Sequence, residues 1–101
     1  MKTDELIEAV MNWGLRHNIS NPDRQYAKLN EEVGEIAHEL TRDRLYSSEM
    51  MDALGDTFVT LIILADILHF DIRECLEAAY SEIKDRDGKT IKGSFVKNEE
   101  H

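Results

Sequence analysis

The chain has 101 residues, a net charge of −9, a pI near 4.8 and a single cysteine. That acidity excludes a nucleic-acid backbone binder, which presents a basic stripe. One cysteine excludes an intrachain disulfide framework and fits a reducing compartment.

The length suits one domain over residues 1–101, with a modest core and some apolar surface left for a partner subunit. The N-terminal stretch carries acids and no long apolar run, so it does not read as a signal peptide. The longest apolar stretch, Phe58 to Phe70, is broken by Thr60, Asp66 and His69 and is too short to span a bilayer. These features give a soluble, cytoplasmic protein with no membrane partner as the expectation.

One proline and five glycines interrupt the chain, and strand-like alternation never runs beyond a few residues. Four helices are predicted. The first covers about Thr3 to His17, with Leu6, Ile7, Val10, Trp13 and Leu15 as its apolar side. A connector follows from Asn18 to Asn21. Asn21 caps the second helix and Pro22 takes its first position. That helix runs to about Arg44, and Tyr26, Leu29, Val33, Ile36, Ala37 and Leu40 form one apolar face.

Ser47 or Ser48 caps the third helix, which ends near His69. Met51, Leu54, Phe58, Leu61, Ile62, Ala65 and Leu68 make one face and Val59, Ile63 and Ile67 part of another. A helix apolar on this much of its surface is buried on several sides. Asp71 caps a fourth helix, with Glu74 at the capping-box position. It ends near Arg86 before Asp87-Gly88. Residues 87–101 read as a polar tail with Ile91, Phe95 and Val96 as anchors.

The second and third helices both carry acids beside apolar faces. Glu31, Glu32 and Glu35 lie on the second; Glu49, Asp52 and Asp56 lie on the third. At about 100° per residue, Glu32, Glu35 and Glu39 share a stripe with Lys28, and Asp52 and Asp56 converge one turn apart. An antiparallel hairpin across the short connection from Asp43 to Ser47 brings the two stripes together. Carboxylates so placed repel one another and lose hydration unless a cation neutralises them. An oxygen-only shell suits Mg²⁺ or Mn²⁺, and such a metal can hold a phosphate chain.

The ordered set Lys28-Leu29-x-Glu31-Glu32-x-x-Glu35, Leu54-Gly55-Asp56 and Lys84-x-Arg86 resembles the MazG-like all-α nucleotide pyrophosphohydrolases. The tail from Glu82 to Lys97 is similar to a compact, often phage-encoded branch of that family. The resemblance covers about Trp13 to Lys97. It implies a four-helix MazG-like bundle; the apolar surface of the third helix, more than its neighbours in one chain can cover, predicts completion by oligomerisation as a homodimer or dimer of dimers. It also implies hydrolysis of a nucleoside triphosphate to monophosphate and pyrophosphate with Mg²⁺, or Mn²⁺ as its substitute.

On this resemblance Glu32, Glu35, Asp52 and Asp56 hold metal, and Glu31 or Glu35 accepts the proton of the attacking water. Lys28, Lys84 and Arg86 neutralise the polyphosphate. The chain departs from the pattern at Ala53, where the family has a glutamate. Asp52 is the neighbouring acid and Glu49 a further candidate.

Several residues admit a second reading. Trp13 is a core or interface anchor, or stacks on a base. Lys84 and Arg86 also suit a helix C-terminus. His17 and Asn18 read as helix-end capping residues, Cys75 as a packed small hydrophobe, and Met50 and Met51 as packing at a helix start. Glu35-x-x-His38 with a degenerate Asp66-x-x-His69 is the competing pattern of a di-iron carboxylate bundle. A non-catalytic helical dimerisation or regulatory module is the third reading, prompted by Ala53.

Overall fold

A computed structural model of the chain describes residues 1–42 and 47–98. It contains α1 (Thr3–Arg16), α2 (Pro22–Thr41), α3 (Ser48–Ile67) and α4 (Ile72–Ile83), followed by strands β1 (Gly88–Ile91) and β2 (Ser94–Lys97). The four predicted helices are present and the fold is mostly helical. The predicted connection at 43–46 and the last residues of the tail lie outside the described residues.

Side chains start the helices where expected. Asn21 Oδ1 accepts from Arg24 N at 3.1 Å, with Pro22 at the first position, and Ser47 Oγ accepts from Met50 N at 3.1 Å. Asp71 accepts from Arg73 N at 2.9 Å, so Arg73 rather than Glu74 answers the α4 cap. Two helices end in Schellman motifs. Asn18 (φ 55°) closes α1, with Ile19 N donating to Gly14 O at 3.1 Å. His69 (φ 66°) closes α3, with Phe70 N donating to Ala65 O at 2.8 Å. His17 and Asn18 therefore do serve the helix end.

The most extensive contact is between α2 and α3, which run antiparallel, while α1 and α4 each pack on α3. On α3 a sheltered stripe runs through Met50, Ala53, Thr57, Thr60 and Leu64, at alternating three- and four-residue steps. On α2 the sheltered stripe is Gln25, Leu29, Glu32, Ile36 and Glu39. This corrects the predicted α2 face. Leu29 and Ile36 do turn inward, but Tyr26, Val33, Ala37 and Leu40 are exposed. The small residues of α3 let α2 approach through polar positions, so the greasiest stripe of α2 is not the one packed within the chain.

On the other side of α3, Gly14 brings the α1 backbone close. A Cβ there would lie 3.3 Å from Ile63 Cγ1. Ile7, Met50, Ala53, Ile62, Ile63 and Ala65 form the buried apolar core. Met51, Leu54, Phe58, Leu61 and Leu68 of the predicted α3 face remain exposed, because α1 and α4 cover only part of the circumference. Cys75 is exposed as well, a correction to its expected packing, because it borders an open apolar groove between α1, α3 and α4. No single described helix is long and apolar enough to cross a membrane.

The expected polar tail is instead a β-hairpin. Gly88 pairs with Lys97 and Ile91 with Ser94, around a Lys92-Gly93 turn with φ of 50° and 78°. Positive φ at both turn residues matches the right-handed twist of two short strands.

Arg73 anchors the start of α4. Its guanidinium donates to Asp71 at 2.8 and 2.6 Å and to Glu8 of α1 at 3.0 Å. Bonding to the Arg73 side chain, then to its backbone N–H, holds the Asp71 carboxyl below its ordinary 3.8. A carboxyl lowered by folding stabilises above its unfolded pKa, and that contribution is lost as pH falls through the folded value. Melting temperature should thus fall more steeply below roughly pH 4 in the native chain than in Asp71→Asn, which keeps an N-cap. Parallel slopes in the two proteins would show that the Asp71–Arg73 pair does not set the acid limit.

Candidate active site

The α2–α3 seam opens into a cavity of about 300 Å³, closed on one side by the end of α1. Glu32 from α2 and the exposed Asp56 from α3 both line it, with Lys28, Gln25, Thr60 and Trp13. The seam sets this meeting. Gln25 Nε2 donates to the buried Thr60 carbonyl at 3.1 Å, which fixes how far α2 can slide along α3. Thr60 Oγ1 donates to Asp56 O at 2.7 Å, so its hydroxyl is satisfied within its own helix.

Glu32 is the more sheltered carboxylate, with 17% of its side chain exposed. Lys28 Nζ lies 3.8 Å from Glu32 Oε1, one turn away and itself 60% exposed. A pair this open contributes little to stability, about 0.3–0.5 kcal/mol. Its importance is chemical, since it places one ammonium beside Glu32 in the cavity that Asp56 also lines. Trp13 tilts against His17, with ring centroids 4.4 Å apart, and lines the cavity with 43% of its surface exposed. It is therefore not a core residue.

The other expected site residues fall outside the cavity lining. Glu35 lies one turn after Glu32 and Asp52 one turn before Asp56, both exposed. Glu31 points further round α2 and is exposed. Among the described residues no three His, Cys, Asp or Glu side chains converge closely enough to hold a metal. Of the four or five carboxylates expected to converge, Glu32 and Asp56 line one cavity, and Glu35 and Asp52 lie on the flanking turns. Ala53 lies buried in the α2–α3 seam.

Lys84 caps the C-terminus of α4 and Arg86 N donates to Ile83 O. Within one chain neither lines the cavity, because α4 packs near Phe58 and Leu61, on the side of α3 opposite Asp56. The di-iron pattern is not assembled either. His38 belongs to the last turn of α2, whereas Asp66 and His69 border another cavity beside Leu15 and Ile19.

Gln25 and Thr60 were not singled out in the sequence. Glutamine on a helix carries no signal by itself; its place four residues before Leu29 on the buried stripe does. The donor set is all oxygen, from two carboxylates lining the cavity with two more a turn away. It fits a hard divalent cation and does not fit a softer metal that requires nitrogen or sulfur.

Comparison with known proteins places the chain among relatives. Residues 20–91 match the model of the MazG nucleotide pyrophosphohydrolase domain, a span that holds all four carboxylates but not Trp13. An 18.2 kDa protein of the rep–hol intergenic region of Haemophilus phage HP1 is 33% identical over 70 residues, 66% of this chain. The match spans 42% of that relative, less than half its length. The fold is similar to that of a cyanophage S-2L MazG-like pyrophosphohydrolase bound to dGDP and three catalytic Mn²⁺ ions per active site. The TM-score is 0.67, with 22% identity over 98% of this chain and 99% of the other.

If the Gln25–Thr60 bond holds the seam, Gln25→Ala should cost about 1–3 kcal/mol, from the lost bond and the space left behind. Urea denaturation measures it. A loss below about 0.5 kcal/mol, the level of an ordinary surface change, would show that the seam does not depend on this bond.

Proposed function

The chain belongs to the MazG nucleotide pyrophosphohydrolase family, and from that premise we propose that it hydrolyses nucleoside triphosphates to the monophosphate and pyrophosphate, with Mg²⁺ as its metal and Mn²⁺ as a substitute. The observation that carries this reading is that Glu32 and Asp56 line one cavity that also holds Lys28 and Trp13. The family match and the nucleotide and Mn²⁺ held by the cyanophage protein support it.

Glu32 and Asp56 would hold the metal, with Glu35 and Asp52 joining from the flanking turns. Bound there, a divalent cation supplies Lewis-acid polarisation of phosphate oxygens and lowers the pKa of a coordinated water. The remaining work belongs to the side chains. Glu31 or Glu35, at the exposed flank of α2, accepts the proton of the attacking water. Lys28 stands beside Glu32 and meets the negative charge of the phosphate chain. The indole of Trp13 offers an apolar face on which a base can stack. Lys84 and Arg86 lie away from the cavity of their own chain, so any contact of theirs with phosphate has to come from a neighbouring copy.

Self-association is part of this proposal. Met51, Leu54, Phe58 and Leu61 on α3 and Tyr26, Val33 and Leu40 on α2 are exposed in the isolated chain. So large an apolar surface marks an interface. Sedimentation at micromolar concentration should give a dimer or a dimer of dimers; a compact monomer would overturn this part.

The activity is tested by incubating nucleoside triphosphates with Mg²⁺ and following the released phosphate species. Pyrophosphate is expected, and release of orthophosphate alone would refute the proposal. Glu32→Gln, Glu35→Gln and Asp56→Asn should each lower turnover at least about a hundredfold, because each removes charge from a shared cation.

Asp52 tests the ligand set. Asp52→Ala should lower turnover and weaken Mg²⁺ binding about as much as Asp56→Asn, and a silent variant would remove Asp52 from the site. Ala53→Glu should bring little gain in turnover and should lower stability, since it forces a further carboxylate into the seam that already holds Glu32 and Glu39.

A further inference from the structure

Among the described residues the C-terminal hairpin packs on no helix of its own chain. Its two strands contact each other, and every residue of both strands is exposed. Yet its geometry is specific. Phe95 packs so closely over Gly88 that a Cβ there would collide with the ring, and Asn98 N closes the base by donating to Asp87 O at 2.9 Å. Ile91, Phe95 and Val96 present apolar surface to solvent, at 45%, 55% and 46% exposure. A lone two-stranded hairpin is marginal in water, so this surface calls for a partner.

Charge identifies the partner. The hairpin carries Lys89, Lys92 and Lys97 and no acid, so of the chain's net −9 the rest carries −12. A basic, apolar-tipped arm on a strongly acidic helical body is complementary to that same body. Since the arm does not reach its own, we propose that it docks on the helical body of a second copy, as an intersubunit arm. Ile91 and Val96 from one face of the hairpin and Phe95 from the other supply the apolar contact, and the lysines pair with surface acids of the receiving copy. The inference rests on the self-association proposed above and adds which segment mediates it.

The test uses the full chain. Phe95 is replaced by the photo-crosslinker benzoylphenylalanine, and isotopically light and heavy chains are mixed before illumination. Crosslinks joining Phe95 of one isotope to residues 3–83 of the other are expected. Crosslinks confined to one isotope, or their absence, overturn the proposal. Sedimentation of the same sample separates the two ideas: a monomer refutes self-association itself, whereas an oligomer without mixed crosslinks refutes only the arm.

A second measurement avoids the altered aromatic. Lys89→Glu with Lys97→Glu should raise the subunit dissociation constant about tenfold at low salt, and the difference should shrink near 1 M salt, where exposed pairs are screened. An unchanged constant at low salt overturns the proposal. So would a hairpin that binds single-stranded nucleic acid in preference to a second copy.

Discussion

The structure depends on a polar seam between two helices. Where α2 meets α3, the contact positions include Gln25, Glu32 and Glu39 on one side and Thr57 and Thr60 on the other. Burying such groups costs energy unless they are bonded. Gln25 is bonded to the Thr60 carbonyl, and both threonine hydroxyls donate to carbonyls one turn back in their own helix. Because Gln25 can reach that carbonyl in only one register, the bond also sets which acid of α2 meets which acid of α3. Glu32 and Asp56 line one cavity as a consequence.

A purely apolar seam would be more stable, but it would tolerate sliding by a turn and would present no carboxylates. The polar seam trades some hydrophobic energy for register, and register is what a site made from two helices requires. Ala53 and Gly14 act in the same direction. Each is small where another helix must come close, Ala53 under α2 and Gly14 against Ile63.

The composition of α3 creates the other constraint. Its C-terminal half is apolar around nearly its whole circumference, and three neighbouring helices in a chain of this size cannot cover it. No large side chain among the described residues is fully buried. The helical body therefore leaves apolar stripes on α2 and α3, while the C-terminal hairpin projects without a helical contact. Both features are surfaces that the proposed self-association would cover. The cavity lined by Glu32 and Asp56 lies on the opposite side of α3 from the exposed Phe58 and Leu61, so that face can be covered without closing the cavity.

The sequence alone determined the helices, their caps and the chemistry of the acids. Asn21, Ser47 and Asp71 cap through local bonds that need no tertiary partner, and the spacing of Glu32, Glu35, Asp52 and Asp56 follows from helix geometry. The hairpin was less legible, because Lys-Gly is a weaker turn signal than Asn-Gly and its strands are only four residues long. Tertiary structure alone decided which stripe of α2 packs inward, and it chose Gln25, Glu32 and Glu39 over Tyr26, Val33 and Leu40. It also decided that Glu32 and Asp56 line the cavity while Lys84 and Arg86 lie elsewhere. Helical periodicity fixes which residues share a face, but the direction that face takes depends on which neighbour can approach it closely, and here the small side chains of α3 made that choice.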